Sequence, residues 1–196
     1  MVTEMEQVEG RNTKMKAFSV LKKSGLYQVL KVCSDLAKER RNHAIYSSIY
    51  YNAETNEIIA TNGFNLLIYK TNIIEKELGK TGNGIIRLVG EYAIFEDIKD
   101  IPLNYKTVTE GFKATKKLQI DSFFGHLSTP AGIAIMSLAL NGITMGFNAV
   151  KCFNTLNEYE YVEINDGEHP VRFVGQDGNL VLYVMPYKVF GGWKEV

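Results

Sequence analysis

Cysteine, histidine and proline are all scarce in this chain, and it has no long apolar run. Its 196 residues include two cysteines, three histidines and four prolines. Cys33 and Cys152 each sit within an apolar helical pattern and read as small buried side chains, not as a disulfide or a reactive thiol. His43, His126 and His169 are scattered, and none has a second ligand at helical or hairpin spacing, which excludes a recognisable metal site. No stretch reaches the roughly 18 apolar residues that a membrane helix needs. Met1 to Asn12 is acidic and polar, unlike a secretory leader. A cytoplasmic protein without membrane association is the expectation.

Catalytic signatures are missing as well. Gly79 to Gly82 reads Gly-Lys-Thr-Gly, but a phosphate loop needs a glycine five positions before Gly79, where Ile74 stands. A polar hairpin tip is the better account of those residues. Glu158, Glu160 and Glu163 do not form a carboxylate pair, since Glu158 and Glu160 alternate with Tyr159 and Tyr161 along a strand and face solvent together. No nucleophile elbow or dinucleotide fingerprint occurs. The expectation is a protein that is not an enzyme and needs no cofactor.

What is present begins with ordinary globular composition, 45% hydrophobic and 22% charged, enough for one large domain or two small ones. The formal net charge is zero, yet Arg11 to Arg41 holds nine Lys or Arg against two acids, Asp35 and Glu39. Such a stretch suits an anionic partner.

Residues 1–15 lack periodicity and read as a loose leader. Lys16 onward reads as a strand, then as a helix from Gly25 with Ser24 as N-cap. Leu26, Val29, Leu30, Cys33, Leu36 and Ala37 make its apolar stripe, and Lys31, Ser34, Lys38 and Arg41 lie opposite. Three β-branched and aromatic runs follow between Ala44 and Thr71, separated by turn residues, as in a meander of hairpins. Ile85 to Val89 reads as a strand, Glu91 to Ile98 as a short helix, and Tyr105 to Gly111 and Lys116 to Asp121 as further strands. The segment from Ser122 to Phe147 mixes Gly, Pro and apolar residues without a clean period and reads as short strands with one ragged helical turn, and the fold of 99–145 as a whole stays open. Beyond it, Gly146 to Leu156 is predicted helical, and three strands follow around Tyr159, Val171 and Leu180, punctuated by Asp-Gly pairs. Two α+β domains are expected, 16–112 and 113–196, each burying one helix face against sheet.

Two stretches carry a family resemblance. Ala-Thr-Asn-Gly-Phe-Asn-Leu, Ala60 to Leu66, resembles the Ala-Thr-Asp-Gly-His-Arg-Leu motif in the middle domain of bacterial DNA polymerase III beta sliding clamps. Met-Pro-Tyr-Lys-Val, Met185 to Val189, resembles the Met-Pro-Met-Arg-Leu ending of their last domain. The likeness covers Lys16 to Phe95 and Gly146 to Val189. It implies a DNA-clamp fold of two domains, each of repeated strand-helix-strands units, in a chain shorter than a three-domain clamp.

In that family the two motifs form an apolar pocket that captures short linear peptides from polymerases, the clamp loader and repair proteins. Carried over by position, the peptide site comprises Thr61, Gly63, Phe64, Asn65 and Leu66 with Tyr183, Met185, Pro186 and Tyr187. Asn62, Phe64 and Asn65 depart from the family's Asp, His and Arg, so the peptide preference is expected to differ. Read alone, Asn62-Gly63 is a type I′ hairpin turn and Met185-Pro186 the end of an edge strand. Helices line the inside of such rings and hold duplex DNA without reading its sequence, which nominates Lys31, Lys38, Arg40, Arg41 and Lys151. Rings of six domains require three copies of a two-domain chain, hence an expected homotrimer. The rival readings are a monomeric clamp-fold peptide adaptor and a small α+β enzyme.

Overall fold

A computed structural model describes residues 3–4, 15–39, 42–119, 143, 159–166 and 168–186. The chain divides into two compact units, Met1–Thr107 and Val108–Val196.

The first unit is an antiparallel sheet backed by one long helix. In chain order its elements are β1 (Thr3–Glu4), β2 (Met15–Ser19), α1 (Gly25–Lys38), β3 (Ile49–Asn52), β4 (Glu57–Thr61), β5 (Asn65–Lys70), α2 (Ile73–Leu78), β6 (Gly84–Val89) and β7 (Tyr92–Asp97). Its strands lie in the order β1-β2-β7-β6-β3-β4-β5. The expected meander is there, with Tyr50 opposite Ile59 and Ile59 opposite Ile68. Ser24 caps α1, its hydroxyl accepting from the Tyr27 N–H at 3.2 Å. Leu30 and Cys33 are fully buried where α1 packs on β3, β4, β5 and β6, so the 3.6-residue stripe is the face that covers the sheet.

Several expectations are corrected. Glu91 to Ile98 is not helical: Tyr92–Asp97 is strand β7, joined to β6 by a two-residue hairpin loop with Val89 opposite Tyr92 and Gly90 at φ +60°. Burial alternates there, with Ala93 and Phe95 inside, so the period is that of a strand. Phe95 also needs β7 where it is, because its ring lies directly over Gly84, where any Cβ would collide with it. Tyr105 to Gly111 does not form a strand: Lys106–Gly111 is a helical turn and a half, α3. Gly79 to Gly82 is no hairpin tip, since it joins α2 to β6. The strand expected from Ala44 starts only at Ile49. Within the stretch read as a loose leader, Thr3 and Glu4 pair with Ala17 and Lys16.

One buried polar cluster secures the chain leading out of this unit. Tyr105, 6% exposed, donates its hydroxyl proton to Glu57 Oε2 at 3.0 Å and accepts from Asn52 Nδ2 at 2.8 Å. Burial raises the Tyr105 pKa, which keeps the phenol protonated as the donor this arrangement needs.

The second unit contains β8 (Lys116–Gln119), β9 (Tyr159–Ile164), β10 (Val171–Gly175) and β11 (Leu180–Val184), antiparallel in the order β11-β10-β9-β8. All four match expected strands. Val162, Val171, Phe173 and Leu182 are fully buried. The helix expected at 146–156, and most of the unpatterned segment, lie outside the described residues. Among the described residues no helix is long and apolar enough to cross a membrane.

Candidate functional site

The first motif is the β4–β5 hairpin. Thr61 pairs with Leu66, and the Asn62 N–H donates to the Asn65 carbonyl at 3.2 Å, leaving Gly63 and Phe64 as a two-residue loop. Gly63 has φ +87°, whereas Asn56 is the one non-glycine residue with positive φ among the described residues. Positive φ at the first central position alone is the type II′ pattern, one residue on from the Asn-Gly type I′ turn that the sequence suggests.

Side chains fix this loop. Asn62, 1% exposed, accepts at Oδ1 from the N–H groups of Phe64 at 3.0 Å and Asn65 at 2.8 Å. Its Nδ2 donates to Glu39 Oε2 at 2.6 Å. The Thr61 hydroxyl donates to the Asn65 carbonyl at 2.7 Å and accepts from the Gly63 N–H at 3.0 Å. Beneath Gly63 lies the Tyr46 ring, itself stacked on His43 with centroids 4.3 Å apart.

These bonds divide the first set of candidate peptide residues by role. Thr61, Asn65 and Leu66 are buried and hold the hairpin together, while Gly63 and Phe64 are exposed, Phe64 by 56%. Phe64 is the exposed large apolar side chain of this turn.

The second motif ends β11. Tyr183 is 5% exposed and Met185 39%, with Pro186 half-buried; Tyr187 lies outside the described residues. Tyr183 meets Phe112 edge-to-face at 5.7 Å. Arg172 stands over the other ring of that pair, 5.1 Å from the Phe112 centroid, and its Nε is 2.6 Å from Glu163 Oε2 on the adjacent strand. Tyr183 is thus packed edge-on against Phe112, and Met185 is the accessible apolar group of the described part of this motif.

Of the candidate DNA-contacting residues, Lys31 and Lys38 are exposed on the solvent face of α1. Lys38 Nζ lies 3.3 Å from Asp35, an exposed pair, which a phosphate would displace at little cost. A cleft of about 240 Å³ beside Lys38 also takes in Ser34, Ser47 and Arg87. Arg87, on β6, lines it with its guanidinium paired to the Glu96 carboxylate. Arg40, Arg41 and Lys151 lie outside the described residues.

Sequence reasoning missed Glu39, Tyr46 and Phe112. Glu39 figures there only as an acid in a basic stretch, and nothing in the periodicity singles out the other two. Among the described residues no group of His, Cys, Asp or Glu is arranged to hold a metal ion. The displaced pKa values belong to groups in structural roles. Burial raises Tyr50 and Tyr51, and turn hydrogen bonds lower Asp166 and Asp177.

No family model and no curated protein matches the sequence. Solved structures do match in fold. A putative DNA polymerase III beta subunit from Eubacterium rectale superposes with a TM-score of 0.51 at 10% identity, over 95% of this chain and 68% of that one. A DnaN sliding clamp from Bartonella birtlesii, solved with bound griselimycin, gives 0.52 at 11% identity, over 94% and 69%. The beta chain from Streptococcus pneumoniae gives 0.52 at 7% identity, over 95% and 67%. The chain has the sliding-clamp fold, and the likeness runs through nearly its whole length.

Proposed function

We propose that this protein is a sliding-clamp-like processivity factor, a cytoplasmic non-enzymatic ring that encircles duplex DNA and tethers replication or repair proteins by short peptides. The observation that carries this reading is the fold likeness to DNA polymerase III beta subunits over about 95% of the chain. It agrees with a family likeness drawn independently from two short motifs.

In this reading the peptide site draws on both motif segments, Thr61 to Leu66 and Tyr183 to Tyr187. Phe64 and Met185 supply apolar contact, and the buried members hold those two in place. A flexible thioether and an exposed aromatic are each side chains that suit the hydrophobic anchors of a linear peptide. Lys31 and Lys38 on α1, with Arg40, Arg41 and Lys151, neutralise phosphates without reading bases. A ring of six such units takes three copies of a chain carrying two.

Light scattering across a dilution series is the first test, and a mass near three times 22.1 kDa is expected. Retention on closed-circular duplex DNA through gel filtration, lost when the circle is cut, then tests encirclement. A monomer at every concentration that still binds peptide would replace the ring with the adaptor reading.

A further inference from the structure

The Asn62–Glu39 contact joins the two surfaces assigned above, and it explains why this chain carries Asn and not Asp in its first motif. Glu39 is the C-cap residue of α1, the helix that bears Lys31 and Lys38. Asn62 is almost wholly buried and uses both ends of its amide, Oδ1 for the loop N–H groups of Phe64 and Asn65 and Nδ2 for the Glu39 carboxylate. An aspartate at 62 would serve the loop equally well, because that task needs only an acceptor. It has no proton to give Glu39, and two carboxylates 2.6 Å apart would repel each other. The residue type at 62 is therefore set by the residue type at 39.

We propose that Glu39 and Asn62 are a positioning pair, which locks the hairpin tip to the end of α1 and thereby presents Phe64 as the specificity-determining contact of the peptide site. The pair works from behind the site. Its amide orients the Phe64 backbone directly, through the 3.0 Å bond to the Phe64 N–H. Tyr46 supports the same tip at Gly63. With an aromatic ring at 64 in place of a hydrogen-bonding imidazole, this position recognises bulk and apolarity. The assignment of Phe64 rests on the peptide-binding reading of the preceding section, whereas the positioning pair does not.

The test exploits the direction of the hydrogen bond. Amide hydrogen exchange at Phe64 and Asn65 in the full chain reports the loop without any ligand. Asn62→Asp is expected to speed exchange there by roughly tenfold, toward the lower end of the range for losing a bond to a charged group, since this one is part-buried. Glu39→Gln should then rescue Asn62→Asp, because glutamine donates to the new carboxylate and restores the bond with reversed polarity. If the double variant exchanges as fast as Asn62→Asp alone, the positioning pair is overturned.

Phe64 is tested separately, with a fluorescent linear peptide bearing two adjacent bulky apolar residues and its alanine counterpart. Wild type is expected to prefer the apolar peptide, Phe64→His to lose roughly tenfold of that preference, and Asn62→Asp to lose part of it, regained with Glu39→Gln. An unchanged preference in Phe64→His overturns the specificity role alone. No binding by wild type removes both that role and the peptide-binding reading, leaving the exchange data to decide the pair.

Discussion

The two motif segments, one in each unit, are held in opposite ways. At Thr61 to Leu66 the support is polar and mostly local: five hydrogen bonds from the side chains of Thr61 and Asn62 fix a loop of two residues. At Tyr183 to Pro186 the support is aromatic and distant in sequence, with Phe112 edge-to-face against Tyr183 and Arg172 over the Phe112 ring. Phe64 is thus an exposed ring on a fixed turn, and Met185 an exposed, flexible thioether. Rigid support fixes which side chain is presented, and a flexible partner side chain tolerates variation in what is bound.

The sharpest way to break this contrast is to remove the polar support. Asn62→Ala leaves a buried N–H at Asn65 and a part-buried one at Phe64 without their acceptor, and about 2–4 kcal/mol of stability should be lost, measured by urea unfolding. Gly63→Ala comes next. The space is adequate, since a new Cβ would lie 3.6 Å from Tyr46, so the cost is the left-handed φ, about 1–2 kcal/mol by the same measurement.

On the other side, Phe112→Ala should cost about 1–2 kcal/mol, since Phe112 is only half-buried. It should also loosen Tyr183, which exchange at β11 would show, while leaving exchange at Phe64 unchanged. Equal effects at both segments would dissolve the contrast.

The smallest effect is on acid sensitivity. The His169 ring, with the N–H groups of Glu168 and His169, holds the Asp166 carboxyl below the usual carboxylate range. A carboxylate whose pKa falls on folding stabilises the fold above its unfolded pKa and loses that contribution as pH drops through the folded value. Unfolding midpoints measured from about pH 6 to pH 3 should therefore show a shallow fall below about pH 4. Asp166→Asn should flatten it.

Much of the architecture was legible in the residues. The stripe from Leu26 to Ala37 marks α1, Ser24 marks its start, and the β-branched runs mark β3 to β5 and β9 to β11, because each pattern is a local consequence of burying one face. The failures were also local in cause. Glu91 to Ile98 is short enough to fit either period, and only the hairpin with β6 and the seat of Phe95 on Gly84 make it a strand. Tyr105 to Gly111 is rich in Thr, Val and Tyr, yet forms α3 next to a tyrosine anchored on Glu57 and Asn52.

In the candidate site, the sequence by itself determined where the turn and the strand end fall, since glycine and proline restrict the backbone wherever they stand. It also determined that a basic face lies along α1, because helical spacing alone sorts Lys31 and Lys38 away from Leu30 and Cys33. Only the tertiary structure decided which motif residues face out and which hold the loop. Those roles depend on Glu39, Tyr46, Phe112 and Arg172, and what brings them to the motifs is the packing of helix on sheet and strand on strand, which no spacing along the chain encodes.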